Sequence, residues 1–154
     1  MPRCRIADAG TGESKLPGKD LLLAAMRGMP HRSHPVLEAA AELAILHRCR
    51  AHSPGSPGDD EIDRQRAELV LAIDRFVLFV TPVPPGGAPL HTETIGTIVD
   101  RLAWHCTDAH ITHADDEHAH GMAVLLLHKL ADAYDELSEE VARGRRRLPS
   151  TFRP

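Results

Sequence analysis

The sequence predicts an all-α fold, an antiparallel bundle of four main helices preceded by a short N-terminal helix. Apolar residues recur with helical spacing in four long segments, whereas no segment alternates apolar and polar residues as a half-buried strand does. Groups of Pro, Gly and Ser separate these segments, and no internal repeat is present. Amphipathic helices joined by brief loops bury their apolar faces against one another, which favours an antiparallel bundle.

One globular domain accounts for the length and composition of the chain. It has 154 residues, of which 42% are apolar and 26% charged, a balance typical of a single soluble domain. Residues 1–17 lack any periodicity. We therefore expect a flexible N-terminal tail there, a helical domain over 18–149 and a short C-terminal tail over 150–154.

Breaker and capping residues set the limits of the first three helices. A short helix is predicted over 19–27, because Gly, Met and Pro at 28–30 stop it. The second helix should run over 35–52, with Ser33 as its N-cap and a proline tolerated in its first turn. Two aspartates then favour the start of a third helix over 59–80, since carboxylates stabilise the positive end of the helix dipole.

The second half of the chain contains the longest break and two further helices. Residues 81–89 include four prolines and two glycines, so they must form an extended connection. A fourth helix is predicted over 92–113 and a polar turn over 114–120. The fifth helix then continues to Arg143, and Gly144 in the C′ position ends it.

Charge, hydropathy and cysteine content exclude several classes of protein. A net charge of −4 argues against nucleic acid or an anionic membrane as the partner. No segment approaches the roughly 20 uncharged apolar residues of a membrane helix, and the N-terminus lacks the apolar core of a secretion signal. Three cysteines are too few for a disulfide framework and suit a reducing compartment. We therefore expect a soluble cytoplasmic protein.

Two polar side chains interrupt the predicted apolar faces of the second and third helices. His47 projects from the centre of the second helix's apolar stripe, where it is either a functional group or a histidine hydrogen-bonded to a neighbouring helix. Arg66 lies within the stripe of the third helix. Its guanidinium either reaches the bundle end or meets a carboxylate of another helix, since burying a charge alone is costly.

The fourth helix has a second face of unusual composition. Opposite its apolar face it carries Gly96, the only tryptophan, Trp104, and Ile111. Exposure to solvent does not explain this set, because glycine costs about 0.8–1.0 kcal/mol relative to alanine in a helix interior. We therefore expect something to pack on this face.

The same helix supplies the core of a predicted polar site. In an enzyme, a carboxylate would be the general base or a Mg²⁺ ligand, two arginines would hold an anionic substrate bidentately, and a histidine would shuttle a proton. The alternative is a solvated ladder of charges. No motif identifies a cofactor. For these roles the candidates are the carboxylates Glu93 and Asp100, the arginines Arg66 and Arg101, the hydroxyl of Thr97 and the imidazole of His47.

A histidine-rich segment offers a candidate metal site. Cys106, His110 and His113 have the spacing C-x3-H-x2-H, which places them on adjacent turns of one helix side, within reach of one Zn²⁺ or Ni²⁺ ion. This spacing is not a recurrent zinc signature, and histidines interleaved with acids near a turn are commonly just exposed.

The run HTETIGTIVDRL at 91–102 resembles an uncharacterised bacterial family, the domain of unknown function 4254. Similarity extends to residues 34–35 and the helix that follows them, to the segment 63–75 and to GRRRLP at 144–149, and so covers roughly 30–150. The resemblance implies an all-α fold and brings no activity with it. The residues that it emphasises are Glu93, Gly96, Asp100 and Arg101.

These observations leave three functional interpretations open. The leading one is a helical bundle whose polar constellation binds or transforms a small anionic metabolite. The second is a non-catalytic structural or interaction protein that forms a homodimer, in which the same charges fix the helix register. The third is a transition-metal-binding protein. An open pocket beside the charges would favour the first interpretation, and closed ion pairs the second.

The homodimer prediction rests on four apolar residues that lie off the predicted core faces. Trp104 and Ile111 on the fourth helix and Val124 and Leu125 on the fifth would form an apolar patch, which monomers seldom leave open. Trp104→Glu should convert the dimer to a monomer with unchanged helical content, since truncating a central interface tryptophan often costs about 2 kcal/mol or more. Light scattering measures the mass, and a wild-type value near the 16.8 kDa of one chain would contradict the dimer.

Overall fold

A computed structural model describes residues 15–112 and 116–150 and confirms the all-α prediction for this part of the chain. It contains four main helices and a short N-terminal one. Within the described residues, none of these helices combines the length and hydropathy needed to cross a membrane. The helices are α1 (Lys19–Met26), α2 (Pro35–His52), α3 (Asp59–Val80), α4 (Ile95–Ile111) and α5 (Glu117–Ala142).

Helix α4 lies at the centre of the bundle, packed against α2, α3 and α5. Its side chains Val99, Leu102 and Ala103 are buried in the core. Helix α2 also packs against α1 and α3, and α5 packs against α1. The predicted tails lie largely outside the described residues, although Leu16 is buried and the carbonyl oxygen of Pro17 accepts a hydrogen bond from the Tyr134 hydroxyl (2.8 Å).

The N-cap of α2 is His34, so the prediction of Ser33 was wrong. A residue before proline is pushed into extended backbone, which is the conformation of an N-cap, and His34 adopts φ −154° and ψ 126°. Its Nδ1 accepts a hydrogen bond from the Val36 N–H (3.2 Å). The Ser33 hydroxyl instead donates to the Glu38 carboxylate (3.1 Å).

The boundaries of α4 and α5 also differ from the predicted ones. Helix α4 begins at Ile95, later than predicted, because the Thr94 hydroxyl caps it by accepting from the Thr97 N–H (3.2 Å). Helix α5 begins earlier than predicted, since the Asp116 carboxylate accepts from two backbone N–H groups of the first turn. Residues 117–120 of the predicted polar turn therefore belong to α5.

The C-terminus of α5 matches the prediction. Gly144 has a φ of +68°, a left-handed conformation that favours glycine. The Gly144 N–H donates to the Val141 carbonyl (3.0 Å) and the Arg145 N–H to the Glu140 carbonyl (2.8 Å), the paired bonds of a Schellman motif.

The unusual face of α4 is covered at one end only. Gly96 is buried against α3. Trp104 remains 49% exposed and Ile111 44%, and Leu125 on α5 is 48% exposed. The homodimer through these residues stays a prediction.

Gly96 allows the backbones of α3 and α4 to approach closely. A Cβ atom built on Gly96 would stand 2.7 Å from Asp74 Oδ1 and closer still to the backbone carbonyl oxygen of Val70. Both distances are shorter than real Cβ contacts, so any side chain at position 96 would force the two helices apart. The requirement for close packing explains why the helix tolerates a glycine here.

Replacing Gly96 with alanine should therefore lower the free energy of unfolding by about 1–3 kcal/mol or more, because the added methyl group overpacks the α3–α4 contact. Gly121→Ala is the matched control, since Gly121 lies within α5 and a Cβ there would meet no atom within 4 Å. That control should gain about 1 kcal/mol from helix propensity. Urea denaturation measures both changes, and equal effects at the two positions would contradict the close approach.

Candidate functional site

Asp100 on α4 is the meeting point of side chains from three helices. Its Oδ1 accepts hydrogen bonds from His47 Nε2 on α2 (2.8 Å) and from Arg66 Nε on α3 (3.1 Å). Its Oδ2 accepts from Arg66 Nη2 (2.6 Å). The carboxylate thus holds Arg66 in the bidentate geometry that is typical of strong Arg–carboxylate pairs.

A second carboxylate extends the network along α3. Arg66 Nη1 donates to Asp63 Oδ1 (2.9 Å), and Arg50 on α2 forms an ion pair with the same oxygen. A continuous chain of charge-assisted hydrogen bonds therefore links α2, α3 and α4, and we call the five residues His47, Arg50, Asp63, Arg66 and Asp100 the Asp100 network.

Burial and pKa identify Asp100 as ionised. Its side chain is 16% exposed, that of His47 3% and that of Arg66 24%. Burial alone would raise the pKa of Asp100, but the hydrogen bonds from His47 and Arg66 and their charges outweigh it and lower that pKa below its ordinary value. The hydrogen bond to Asp100 likewise raises the pKa of Arg66.

The side chains of the Asp100 network bond to one another. Both carboxylate oxygens of Asp100 accept hydrogen bonds, and every nitrogen of the Arg66 guanidinium donates one. Three of the five N–H donors of Arg66 and three acceptor positions of Asp100 are therefore used inside the network. These bonds between helices favour a structural role for the network, in which it fixes the register of three helices.

Two other predicted site residues, one on α4 and one just before that helix begins, form a separate pair. Arg101 and Glu93 make an ion pair with each other and are 45% and 26% exposed. No hydrogen bond among the described residues joins this pair to Asp100. Among the described residues, the Thr97 hydroxyl bonds neither of them and instead bonds the hydroxyl of Thr94 (3.0 Å). The predicted polar site is therefore divided into the Asp100 network, the Arg101–Glu93 pair and the Thr97 hydroxyl.

The candidate metal ligands are only partly described. Cys106 is buried and His110 is exposed, whereas His113 lies outside the described residues. Within residues 15–112 and 116–150, no three His, Cys, Asp or Glu side chains are grouped so that they could hold a metal ion. The metal site with His113 stays a prediction.

Asp74 on α3 is a buried polar residue that sequence reasoning missed. Its Oδ1 accepts a hydrogen bond from the Gly96 N–H (2.8 Å), so α3 supplies a second cap for α4. Its Oδ2 is buried without a hydrogen-bond partner. Burial raises the pKa of Asp74, and the hydrogen bonds from the Gly96 backbone and the Thr94 hydroxyl only partly oppose that shift.

A cavity of about 300 Å³ adjoins Asp74. It lies between the C-terminal turns of α3, the proline-rich connection and the segment that follows α5. Thr94, the N-cap of α4, also borders it. Asp74, Thr94 and Arg147 are among its polar residues. Its apolar walls include Val77, Pro82, Val83, Val141, Leu148 and Pro149.

Backbone pairing holds Arg147 at the edge of this cavity. Its N–H donates to the Pro89 carbonyl (2.9 Å) and its carbonyl accepts from the His91 N–H (2.8 Å), which forms an isolated β-bridge around Leu90. Its side chain donates through Nε to the Ala88 carbonyl oxygen (2.7 Å). Within the described residues, the two terminal nitrogens of the guanidinium make no hydrogen bond or ion pair.

Comparison with known proteins identifies one relationship. A family model described as "Protein of unknown function (DUF4254)" matches residues 59–150. No curated protein and no solved structure is significantly similar to the chain. The match includes α3, α4, α5 and the whole wall of the cavity beside Asp74.

Asp74→Asn and Asp100→Asn should change the pH dependence of stability in opposite directions. The pKa of Asp100 is lowered on folding, so its contribution to stability is present above the ordinary pKa of about 3.9 and lost as the pH falls through the folded-state pKa. The pKa of Asp74 is raised on folding, so its contribution is present below that ordinary value and lost as the pH rises through the folded-state pKa.

Compared with the wild type, Asp100→Asn should therefore lose most stability near neutral pH and least in acid. Asp74→Asn should improve relative to the wild type as the pH rises from about 4 toward neutrality. Urea midpoints measured at a series of pH values give both differences. If the two variants ran parallel to the wild type at every pH, the assigned shifts would be wrong.

Proposed function

Because the chain belongs to the family described as "Protein of unknown function (DUF4254)", we propose that its ligand site lies within the matched residues 59–150 and binds a small amphipathic anion. We place the ligand in the cavity beside Asp74. Every residue of that cavity wall belongs to the matched segment, where a property common to the family has to reside.

The observation that carries this proposal is the composition of the cavity wall. Valine, leucine and proline side chains form most of it, and a few polar groups converge there from α3, the start of α4 and the C-terminal segment. Small-molecule sites have this composition, because the apolar wall binds the body of a ligand and the polar groups orient it. A buried carboxyl with a raised pKa beside a cavity is a further feature of such sites.

Arg147 would bind the anionic group of the ligand. Its backbone and its Nε are held by residues 88–91, so little side-chain freedom is left to lose when a ligand binds. The terminal guanidinium nitrogens can then donate two parallel hydrogen bonds to a carboxylate. The neighbouring Arg146 is already paired with Glu140 (2.7 Å), so Arg147 is the arginine of the cavity wall left to bind the anion.

Asp74 is compatible with an anionic ligand in spite of its own acidity. A fully ionised carboxylate in the wall would repel a second anion. Burial raises the pKa of Asp74, so that proton uptake on ligand binding would cost less than for an exposed carboxyl and would let Asp74 donate a hydrogen bond. The proposed ligand belongs to the class expected from the sequence, a small anionic metabolite. The proposed site differs, because it lies beside Asp74 and Arg147 rather than at Arg66 and Arg101.

Ligand-observed NMR with hexanoate, and with hexanamide as its uncharged counterpart, tests the proposal. The wild type should bind hexanoate in preference to hexanamide. Arg147→Gln should weaken hexanoate binding by about tenfold or more, since a charge-assisted hydrogen bond contributes about 1.5–3 kcal/mol. Arg147→Lys keeps the charge without the bidentate geometry and should fall between the two.

Arg145→Gln is the matched control, because it removes the same charge from an exposed residue that does not line the cavity. It should bind hexanoate as the wild type does. Equal weakening in Arg145→Gln, equal binding of hexanamide, or no effect of Arg147→Gln would overturn the proposal. Circular dichroism shows that each variant retains its helices.

A further inference from the structure

A second cavity, of about 430 Å³, lies at the opposite end of α4. It is bordered by the end of α1, the last turns of α2, the end of α4 and the beginning of α5. It shares no residue with the cavity beside Asp74, so an inference about it does not rest on the proposed function.

Two arginines from different helices converge on this cavity. Arg27 is the C-cap of α1, and Arg48 on α2 donates through Nη1 to the Met26 carbonyl oxygen (3.2 Å). Both charges act on the buried thiol of Cys106, since burial raises the pKa of that thiol and both guanidinium groups oppose the rise. The two positive charges border the same cavity, Arg48 half-buried and Arg27 exposed.

No acidic side chain of the described residues balances these charges. The cavity wall contains neither Asp nor Glu within that part of the chain, and neither arginine forms an ion pair there. Two like charges that border one cavity repel each other. An anion bound between them would remove that cost.

We propose that this cavity binds a phosphate group, either the free ion or the phosphate of a small metabolite. Guanidinium groups from two helices can each donate to different phosphate oxygens, which is the geometry that arginine is suited to. His110 on α4 adds a further polar group, and the Thr107 hydroxyl lies in the same wall. The buried side chains of Met26 and Leu127 provide an apolar surface for the rest of a metabolite.

Isothermal titration with inorganic phosphate and with phenyl phosphate, at fixed ionic strength, tests this site. The wild type should bind at least one of them saturably. Arg27→Gln and Arg48→Gln should each weaken that binding by about tenfold or more. Tighter binding of phenyl phosphate would assign the phosphate of a metabolite, and tighter binding of inorganic phosphate would assign the free ion.

Arg64→Gln serves as the control, because Arg64 is an exposed residue of α3 that pairs with Glu61 and Glu68 and lies outside the cavity. It removes the same charge and should leave phosphate binding unchanged. If Arg48→Gln loses its helical content, Arg48→Lys replaces it and should bind with intermediate affinity. Equal weakening by Arg64→Gln, or the absence of saturable binding to the wild type, would overturn the site.

Discussion

The close approach of α3 to α4 at Gly96 is the contact on which the positions of the other polar side chains depend. Without a Cβ at position 96, the α3 backbone comes near enough for Asp74 to accept the Gly96 N–H (2.8 Å). The same approach lets Arg66, which lies two turns before Asp74 on α3, donate hydrogen bonds to both carboxylate oxygens of Asp100. A wider separation would leave two carboxylates and a guanidinium without their partners, at the cost of buried unpaired charge.

Two aspartates on this helix pair show how surroundings decide acidity. Asp100 and Asp74 are both largely removed from solvent, and desolvation pushes the pKa of each upward. Asp100 receives donors from His47 and Arg66, so ionisation wins there. Asp74 receives one backbone N–H and a hydroxyl but no cation, so burial dominates. The carboxyl that is not hydrogen-bonded to a cation is the one beside a cavity, where a ligand would reach it more readily than it would reach Asp100.

Helical periodicity predicted the fold well, because the apolar spacing of each helix is local information. It also identified Arg66 and His47 as exceptions inside apolar stripes, and both are bonded to Asp100. The same reasoning missed Asp74, since a carboxylate beside a stripe is usually solvated and its partner Gly96 is brought near only by tertiary packing. The spacing along the chain grouped Glu93, Thr97 and Arg101 with Asp100, but the structure gives them different partners. Asp100 bonds side chains of α2 and α3, whereas the other three bond residues on or next to α4. Periodicity gives the spacing of side chains along one helix and does not specify their partners.

The β-bridge at Arg147 has a consequence for the order in which the molecule assembles. Its side chain and the Ala88 carbonyl that it bonds are 59 positions apart, with α4 and α5 between them. Closing a loop of that length costs chain entropy, which three hydrogen bonds offset only after the intervening helices have packed. The cavity beside Asp74 is thus completed by a late, long-range contact on an edge of the bundle. Such contacts open by local unfolding at lower free energy than the core, so the cavity wall at Arg147 would open while the helices remain folded.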